Sequence, residues 1–440
     1  MTTLFANAHV VAMDDDGTEH ESGWILVADG LVRELGDGKR PEADDVHDLG
    51  GAVVTPGLVN THHHLWQNLT RARAQEENLF GWLKALYPVW AAIDEEAEYA
   101  AARAGLAELA LSGCTTVFDH HYLFPPGRPG LLEAEIRAAR ELGLRIVASR
   151  GSMDLGESNG GLPPDAVVEE RDEVLAATEA AVGLADGAQV EIAVAPCSPF
   201  SVTRELMTES AELARRHGLR LHTHLAETGE EEEFCREQFG CTPVEYLEQL
   251  GWLAEDVWCA HCVHLSDDDV RTFGQRDVGV AHCPSSNMRL GAGIARVRDL
   301  VDAGVRVGLG VDGSASNERG DLFLEVKQAL LVARARGGPA ALTARDALRL
   351  GTRGGAAVLG REDIGGLAPG KRADFAVWRT DGLELGGAAD PVAGLVFSGP
   401  HRVDRLYVGG EPVVRDGRLV RADEDEIARE HRAHARRFAP

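Results

Sequence analysis

Two histidines in the segment PGLVNTHHHLWQ (56–67) are spaced to bind one metal ion. His62 and His64 lie two residues apart in a strand-like run, so both imidazoles project to one side while His63 points to the other. Such a pair can chelate one metal ion, although this spacing alone is only weak evidence for a metal site. Other strand-like runs end in further imidazole and carboxylate side chains, namely His224, His261 and Asp312. This mixed nitrogen and oxygen set suits zinc or a similar divalent ion.

A carboxylate follows one of these histidines closely. Glu227 comes three residues after His224 in HLAE, just past the end of a predicted strand, which is a position for a general acid or base near a metal. Glu227 also begins the acidic run ETGEEEEF, which is typical of a solvated helix start, so the spacing leaves both interpretations open. Asp312 ends an apolar strand with no cation near it in sequence. A buried unpaired carboxylate is costly, which favours a metal or proton-transfer role for Asp312.

These residues stand at the ends of a repeated unit. Each unit is an amphipathic helix, a Gly or Asp turn, and a short run of β-branched and apolar residues that ends in polar ones. Eight runs of this kind occur: VVTPGLVNTHHH (53–64), TTVFDHH (115–121), RIVASRG (145–151), VEIAVAPCS (190–198), LRLHTHLAET (219–228), VWCAHCVH (257–264), GVAHCPSSN (279–287) and VRVGLGVDGS (305–314).

Eight helix and strand units predict a closed barrel. Alternating strands and helices form parallel βα units, and continuous apolar runs indicate strands buried on both faces. The fold class is therefore predicted as α/β, with a (β/α)8 TIM-type barrel over residues 56–364, whose chemistry takes place at the C-terminal ends of the strands. An open doubly wound sheet is the alternative, but no GxGxxG motif follows the first strand.

The two ends of the chain differ from the barrel. Residues 1–55 and 365–422 contain short strand-like pieces separated by Asp and Gly turns, such as TLFANAHVVAM and VDRLYVGGEPVVRDG. We predict that they pair into one small β-sandwich domain beside the barrel. Residues 423–440 are predicted to form a C-terminal helical tail of mixed charge with no chemical role.

Charge and composition limit the partners. The 440 residues include 44 Lys and Arg against 71 Asp and Glu, a net charge of −27 that repels nucleic acid and anionic membranes. We therefore expect a small-molecule ligand and no nucleic-acid or membrane partner.

The segment MTTLFANAHVVAM has no basic region followed by an apolar stretch, and no window is long enough for a membrane span, so we expect a cytoplasmic protein. Seven cysteines, an odd number, predict reduced thiols rather than a disulfide framework.

Several motifs resemble the amidohydrolase superfamily, and specifically its nucleobase and s-triazine aminohydrolase branch. They are, in chain order, PGLVNTHHH, HTHLAET, CAHCVHL, AHCPSSNMRLG and GVDGSASN. GLAPGKRADFAVW resembles the return strand of that family's small β domain, so the resemblance spans nearly the whole chain. Longer stretches resemble the members of the branch that deaminate 8-oxoguanine, among them LFGWLKALYPVWA, LSGCTTVFDHHYLFP and SRGSMDLGESNGGLPP.

The resemblance implies one metal ion per chain, usually zinc, with iron as an alternative. Its ligands would be His62, His64, His224 and Asp312. His261 would contact the metal-bound water, Glu227 would move protons on the substrate, and Gln67 falls where relatives hydrogen-bond the purine. Binuclear members of the superfamily use a carboxylated lysine on the fourth strand. VEIAVAPCS contains no Lys, which favours a single metal.

The implied activity is hydrolytic deamination of a free purine base, with 8-oxoguanine giving urate and ammonia. A bound zinc ion lowers the pKa of water to roughly 7. We assign Asp312 to accept the proton of that water, His261 to orient the nucleophile, and Glu227 to protonate the ring nitrogen beside the attacked carbon. All three are therefore predicted catalytic residues.

Other substrates and another class of function stay open. Guanine, isocytosine, a pterin or a hydroxy-s-triazine would use the same machinery, and only the pocket separates them. A barrel that serves as a non-catalytic assembly module is the other class of function. Buried charged side chains cost folding free energy, and a scaffold gains nothing from them, which argues against this class. We also expect a homo-oligomer.

Further side chains near the strand ends are candidate substrate contacts. The predicted set is Gln67, Tyr122, Arg150, Cys197 and Glu227. Arg150 could bind a carbonyl oxygen or form a structural ion pair, and Cys197 is more typical of a small packed residue than of a nucleophile. At least one of His120 and His121 should face the site. The aromatic residues after the first strand are more typical of core than of a substrate wall, namely Trp66, Trp82, Tyr87 and Trp90.

Overall fold

A computed structural model of the chain describes residues 1–439. The strands are β1 (Thr2–Val11), β2 (Glu19–Ala28), β3 (Leu31–Gly36), β4 (Asp45–Pro56), β5 (Leu58–Asn60), β6 (Cys114–Asp119), β7 (Arg145–Ser152), β8 (Val190–Pro196), β9 (Leu221–Leu225), β10 (Val257–His261), β11 (Gly279–His282), β12 (Val307–Leu309), β13 (Phe375–Trp378), β14 (Arg405–Val408), β15 (Glu411–Arg415) and β16 (Arg418–Leu419).

The helices connect these strands and cover the outside of the molecule. They are α1 (Leu79–Trp90), α2 (Glu95–Leu111), α3 (Leu131–Leu142), α4 (Arg171–Ala181), α5 (Arg204–His217), α6 (Gly229–Phe239), α7 (Pro243–Gln249), α8 (Asp267–Arg276), α9 (Pro284–Arg289), α10 (Val297–Asp302), α11 (Leu322–Gly337), α12 (Ala344–Arg349), α13 (Gly355–Val358), α14 (Pro391–Ser398) and α15 (Glu424–Ala435). A 3₁₀ turn, Leu65–Thr70, follows β5 directly. No helix within residues 1–439 combines the length and the apolar character that crossing a membrane requires.

The predicted barrel is confirmed. Within the described residues, β5 to β12 close a barrel of eight parallel strands that follow one another in chain order. Most of these strands are buried along their whole length, which explains why their sequences read as continuous apolar runs. Large rings fill the interior of the barrel. The ring centres of Phe118 and Trp258 are 4.7 Å apart, and those of Trp258 and His222 are 4.6 Å apart. The C-terminal strand ends therefore rest on a packed floor.

The two ends of the chain pair, as predicted, into a small β domain. Its strands form one mixed sheet in the order β16, β15, β14, β13, β4, β1, β2 and β3. In β1, neighbouring residues Leu4 and Phe5 are both buried, in different apolar clusters, so the sheet is covered on both faces. The strands of this sheet lie within residues 2–56 and 375–419. We keep the division into 1–55 with 365–422, and 56–364, as a proposal.

The run VVTPGLVNTHHH, predicted as one strand, is divided between the two sheets at Gly57. β4 pairs with β13 as far as Pro56, whereas β5 begins the barrel at Leu58. A Cβ atom on Gly57 would lie 2.3 Å from the Thr115 side chain, so only glycine fits. The chain can thus change sheets within one residue, which places the histidines after β5 at the barrel rim.

The C-terminal helix α15 packs against α2 and the 3₁₀ turn at Leu65–Thr70. Glu430 accepts a hydrogen bond from Arg103 Nη1 at 2.6 Å, and the Nε2 of His431 donates to the carbonyl oxygen of Asn68 at 2.9 Å. Arg73 also donates to the carbonyl oxygen of Phe438. The predicted helical tail is therefore attached to the element that follows the first two histidines.

Candidate active site

His64 and His224 point unprotonated nitrogens at the same position. The Nδ1 atoms of His64 and His224 lie 2.8 and 2.7 Å from the carbonyl oxygens of His120 and Cys197. Since a carbonyl oxygen only accepts, each Nδ1 carries the hydrogen and each Nε2 has a free lone pair. The two Nε2 atoms are 3.1 Å apart. Two lone pairs at this distance repel unless a cation lies between them.

A hydrogen bond to a further histidine, His222, leaves the Nε2 of His62 without a hydrogen as well. The Nδ1 of His222 donates to the carbonyl oxygen of Trp258 at 3.0 Å, so its Nε2 accepts from the Nδ1 of His62 at 2.9 Å. The Nε2 of His62 is left bare and has no hydrogen-bond partner among residues 1–439. A hydrogen bond of this kind fixes the tautomer and orientation of a metal ligand. His222 was not among the residues singled out from the sequence.

Asp312 supplies the oxygen of the group. Its Oδ1 lies 3.4 Å from the Nε2 of His62 and 3.3 Å from that of His64, while its Oδ2 accepts from the hydroxyls of Ser286 at 2.6 Å and Ser316 at 3.2 Å. Burial alone would raise the pKa of Asp312, but the contact with His62 and the surrounding imidazoles of His62, His261 and His64 together hold this pKa well below its usual value. The carboxylate therefore stays ionised.

The spacing of these atoms fits a divalent metal ion. Atoms bound at about 2.0–2.1 Å to one tetrahedral ion lie about 3.3 Å apart, close to the separations of 3.1, 3.3 and 3.4 Å found here. Burial lowers the pKa of all three imidazoles, which are therefore neutral, the form that binds metals. The chain thus has a buried His/Asp metal-binding site, made of two overlapping groups that could hold an ion: His62, His64, His120 and His224, and His62, His261 and Asp312.

Two further ionisable residues lie beside this group. The Nδ1 of His261 donates to Oδ1 of Asn287 at 2.9 Å, and its Nε2 lies 3.6 Å from Oε2 of Glu227. Glu227 is only 4% exposed, and its backbone NH donates to the Glu231 carboxylate at 2.9 Å. Burial raises the pKa of Glu227 to about 7. A carboxyl group with this pKa exchanges protons near neutral pH, as a general acid or base must. Glu227 therefore does not belong to the solvated part of its acidic run.

The backbone is left-handed where three of these side chains are presented. Asp312 has a φ of 63°, His261 a φ of 72°, and Ala226, just before Glu227, a φ of 50°. Non-glycine residues in this region cost about 1–3 kcal/mol each and occur mainly where function requires them. The rim is thus held in a geometry that the local sequence disfavours.

A small cavity lies over the group. Its polar floor is formed by His64, Gln67, Tyr122, Cys197, His224, Glu227, His261, Asp312 and Ser316. Helix α1 covers it with Leu79, Trp82, Leu83 and Tyr87, together with Phe200 and Leu290. Trp82 donates its Nε1 to the carbonyl oxygen of Ala315 at 3.1 Å, which fixes α1 over the barrel. Trp66 and Trp90 are core residues, as expected for most of these aromatics, but Trp82 and Tyr87 form cavity wall.

Four of the five predicted substrate contacts line this cavity: Gln67, Tyr122, Cys197 and Glu227. The side-chain oxygen of Gln67 is buried without a hydrogen-bond partner in the described chain. A Cβ atom on Gly313 would lie 1.9 Å from it, so Gly313 makes room for Gln67. Burial raises the pKa of Cys197 to about 12, which keeps its thiol protonated and unsuited to nucleophilic attack.

Arg150 is the exception, and its predicted place among the substrate contacts is corrected. Its guanidinium donates to both carboxylate oxygens of Glu169, at 3.1 and 2.5 Å, and lies 3.7 Å from the ring centre of Phe124. This ion pair lines a separate surface groove, not the cavity. Of the two roles that the sequence left open for Arg150, the structure contains the ion pair.

Comparisons with known proteins show which family this chain resembles. The profile of the amidohydrolase family matches residues 53–413. The chain is 48% identical to 8-oxoguanine deaminase from Pseudomonas aeruginosa over 423 residues, which cover 94% of each protein. It is 36% identical to isoxanthopterin deaminase from an unknown prokaryotic organism, over 98% of this chain and 96% of that protein. The crystal structure of atrazine chlorohydrolase from Arthrobacter aurescens TC1 with zinc superposes with a TM-score of 0.93 at 34% identity, covering 98% of this chain and 100% of that one.

Proposed function

The chain belongs to the amidohydrolase family, and we propose that it is a zinc-dependent deaminase that converts 8-oxoguanine into urate and ammonia. The observation that carries the proposal is the single small cavity in which Gln67 and Glu227 face the His/Asp metal-binding site. The similarity to 8-oxoguanine deaminase along nearly the whole chain supports the choice of substrate.

The size of the cavity favours a free base over a nucleoside. The enclosed space is only about 30 Å³, well below the roughly 300–1,000 Å³ of typical ligand pockets, so a bound base already requires the roof to shift and a nucleoside would require a larger shift. The roof of Leu79, Trp82 and Leu83 is apolar and closes directly over the polar floor. A flat bicyclic ring has the shape to lie between these layers once they part, whereas an attached ribose would need space beyond the roof.

The metal ion would be held by the three imidazoles and the carboxylate described above, and zinc in such a site lowers the pKa of a water molecule to about 7. Asp312 would accept a proton from the attacking water through Oδ1, because this is the anionic atom nearest the ligand nitrogens. His261 orients the nucleophile and is itself held by Asn287. We propose one metal in this centre, since β8 contains no lysine that could bridge a second ion.

Proton transfer on the substrate is assigned to Glu227. Its carboxyl group protonates the ring nitrogen beside the amino-bearing carbon, so negative charge does not build up on the ring as water adds. The proton held by Asp312 would then pass to the amino group and ammonia would leave as the carbon–nitrogen bond breaks, while the remaining hydroxyl proton would return to Glu227 as the new carbonyl forms. Gln67 hydrogen-bonds the edge of the base, which would give its buried oxygen the partner that the protein does not supply.

Assembly and location complete the proposal. We propose a homo-oligomer, which light scattering on the purified protein tests directly. We also propose a cytoplasmic location, which the seven buried free cysteines support, because thiols stay reduced there.

The decisive experiment measures ammonia release from a panel of bases by the zinc-loaded protein. The panel contains 8-oxoguanine, guanine, isocytosine, isoxanthopterin and hydroxyatrazine, with 5′-deoxyadenosine as a nucleoside control. We expect 8-oxoguanine to have the highest kcat/KM and the nucleoside to be inert. Another base reacting in place of 8-oxoguanine would overturn the substrate but keep the deaminase class. No ammonia from any member would favour the assembly module.

A further inference from the structure

A second group of buried ionisable side chains lies on the outer side of the barrel, behind the end of β6. It consists of Glu98 on α2, Glu135 on α3 and His121, two residues past β6, and all three are 0% exposed. None of them lines the substrate cavity. The ring of Trp66 lies between this group and the first metal site. Its centre is 4.8 Å from the ring centre of His121 and 5.1 Å from that of His64.

The imidazole of His121 turns a free lone pair toward both carboxylates. Its Nε2 lies 3.0 Å from the carbonyl oxygen of Leu123 and therefore carries the hydrogen. Its Nδ1 lies 3.8 Å from Oε1 of Glu98 and 3.9 Å from Oε2 of Glu135, which is too far for hydrogen bonds. This nitrogen and all four carboxylate oxygens are buried without a partner among residues 1–439.

Nothing in the described chain neutralises this group. The side chain within ion-pair distance of Glu98 and Glu135 is His121 itself, and no Lys or Arg of residues 1–439 pairs with either. Asp119 places a third buried carboxyl group against Glu135, which raises the pKa of Glu135 further, while its Oδ1 accepts from the backbone NH of Leu65 at 2.7 Å. Burial raises the pKa of both glutamates well above the usual value, which shows how costly their ionised forms are without a cation.

We propose that Glu98, His121 and Glu135 form a second metal site, which binds a divalent transition-metal ion such as zinc. Two carboxylates balance the charge of the ion, and one imidazole supplies the nitrogen that such ions prefer and that magnesium or calcium does not. Donor atoms at about 2.0–2.2 Å from one ion lie up to about 4 Å apart, which matches the 3.8 and 3.9 Å separations. The site does not depend on the proposed deaminase activity.

The role of this site is structural. Its ligands join α2, α3 and the segment after β6. The turn that carries Gln67 meets this cluster at two points, since Trp66 of the turn contacts His121 and Leu65 donates to Asp119. An ion here therefore holds two outer helices against the strand end that supports the substrate cavity. Alternatively, protons and buried water neutralise the cluster, and the two cases differ in the metal content of the protein.

Zinc per chain, measured by inductively coupled plasma mass spectrometry after zinc loading and gel filtration, tests the proposal. We expect two ions in the natural protein, one in Glu135→Gln and one in Glu98→Gln. The control Glu133→Gln, which changes an exposed residue of α3, should keep two. Deaminase activity should persist in Glu135→Gln, because this residue contacts neither substrate nor the first metal site.

A variant of the first site keeps the test decisive if the glutamate variants do not fold. His62→Ala should retain one zinc ion, bound at the outer site, whereas it would retain none if Glu98, His121 and Glu135 bind no metal. One ion in the natural protein, or an unchanged count in a folded Glu135→Gln, would overturn the proposal and assign the cluster to protons and water.

Discussion

The Nε2 atoms of His64 and His224 lie 3.1 Å apart, although neither carries a hydrogen that could join them. Each ring is held in this state by a backbone carbonyl on its far side, so the repulsion between the lone pairs is built in by the fold. A cation removes this repulsion, and the arrangement is thus pre-organised for metal binding.

Removing one of these rings should remove the metal and the activity together. We expect His224→Ala to bind one zinc ion fewer than the natural protein and to lose deamination. His217→Ala, on the surface and paired with Glu179 at 2.6 Å, is the matched control and should change neither. Metal analysis and an ammonia assay on the same samples check this. Normal zinc content in His224→Ala would remove this residue from the ligand set.

His222 should tune the affinity of the metal without contacting it. His222→Phe keeps a ring but loses the acceptor for Nδ1 of His62, so that His62 can turn or change tautomer. We expect zinc affinity, measured by chelator competition, to fall about 10- to 100-fold. His222→Gln retains an acceptor and should recover part of the loss. Equal losses in both variants would point to packing instead of the hydrogen bond.

Glu227 should be needed for turnover but not for metal. In Glu227→Gln the side chain keeps its size but cannot transfer a proton, so kcat should fall about a hundred- to ten-thousand-fold with zinc content unchanged. Glu233→Gln changes an exposed residue of the same acidic run and serves as the control. Near-normal turnover in Glu227→Gln would refute the proton-transfer role.

Gly313 should control substrate binding through Gln67. In Gly313→Ala the new methyl group would lie 1.9 Å from the Gln67 oxygen, which must move from its place in the cavity. We expect KM to rise roughly five- to tenfold, as for a lost hydrogen bond of about 1–1.5 kcal/mol, with zinc content preserved. Gly183→Ala has no atom near the new methyl group and is the control. An unchanged KM would mean that Gln67 does not hold the base.

His63 should matter for stability before it matters for metal. Its Nδ1 accepts from the backbone NH of His64 at 2.7 Å, and burial lowers its pKa to about 3, so the ring is a neutral acceptor. His63→Ala leaves that NH without a partner, at a cost of about 1–3 kcal/mol. Thermal unfolding should show a lower Tm while zinc content stays normal. Loss of zinc at an unchanged Tm would contradict this.

The barrel could be predicted from the sequence because its strands are buried on both faces and end in polar residues. The candidate metal ligands could be singled out as well, since each lies at or just past the end of a barrel strand, and their role as ligands stays a prediction. His222 was missed although the signal was present. The segment HTH at 222–224 repeats the spacing of His62 and His64, and both of its imidazoles project to the same side.

Other features depend on contacts between distant segments and leave no local signal. The salt bridge of Arg150 needs Glu169, which lies in the loop after β7, and the sequence alone does not bring the two together. The same holds for α1, because its position over the cavity rests on contacts such as that of Trp82 with Ala315. The outer cluster joins residues from α2, α3 and the segment after β6, so it too becomes visible only in the folded chain.

The docking of α15 has a practical consequence for work with this protein. The helix supports the turn that presents Gln67 through His431, and Glu430 ties it to α2, so trimming or proteolysis of the C-terminal region would loosen a wall of the cavity more than 360 residues away in sequence. Met1, in contrast, is 87% exposed on the small domain. Affinity tags and immobilisation linkers therefore belong at the N-terminus, and a kinetic survey made with C-terminally fused protein would measure a disturbed binding site.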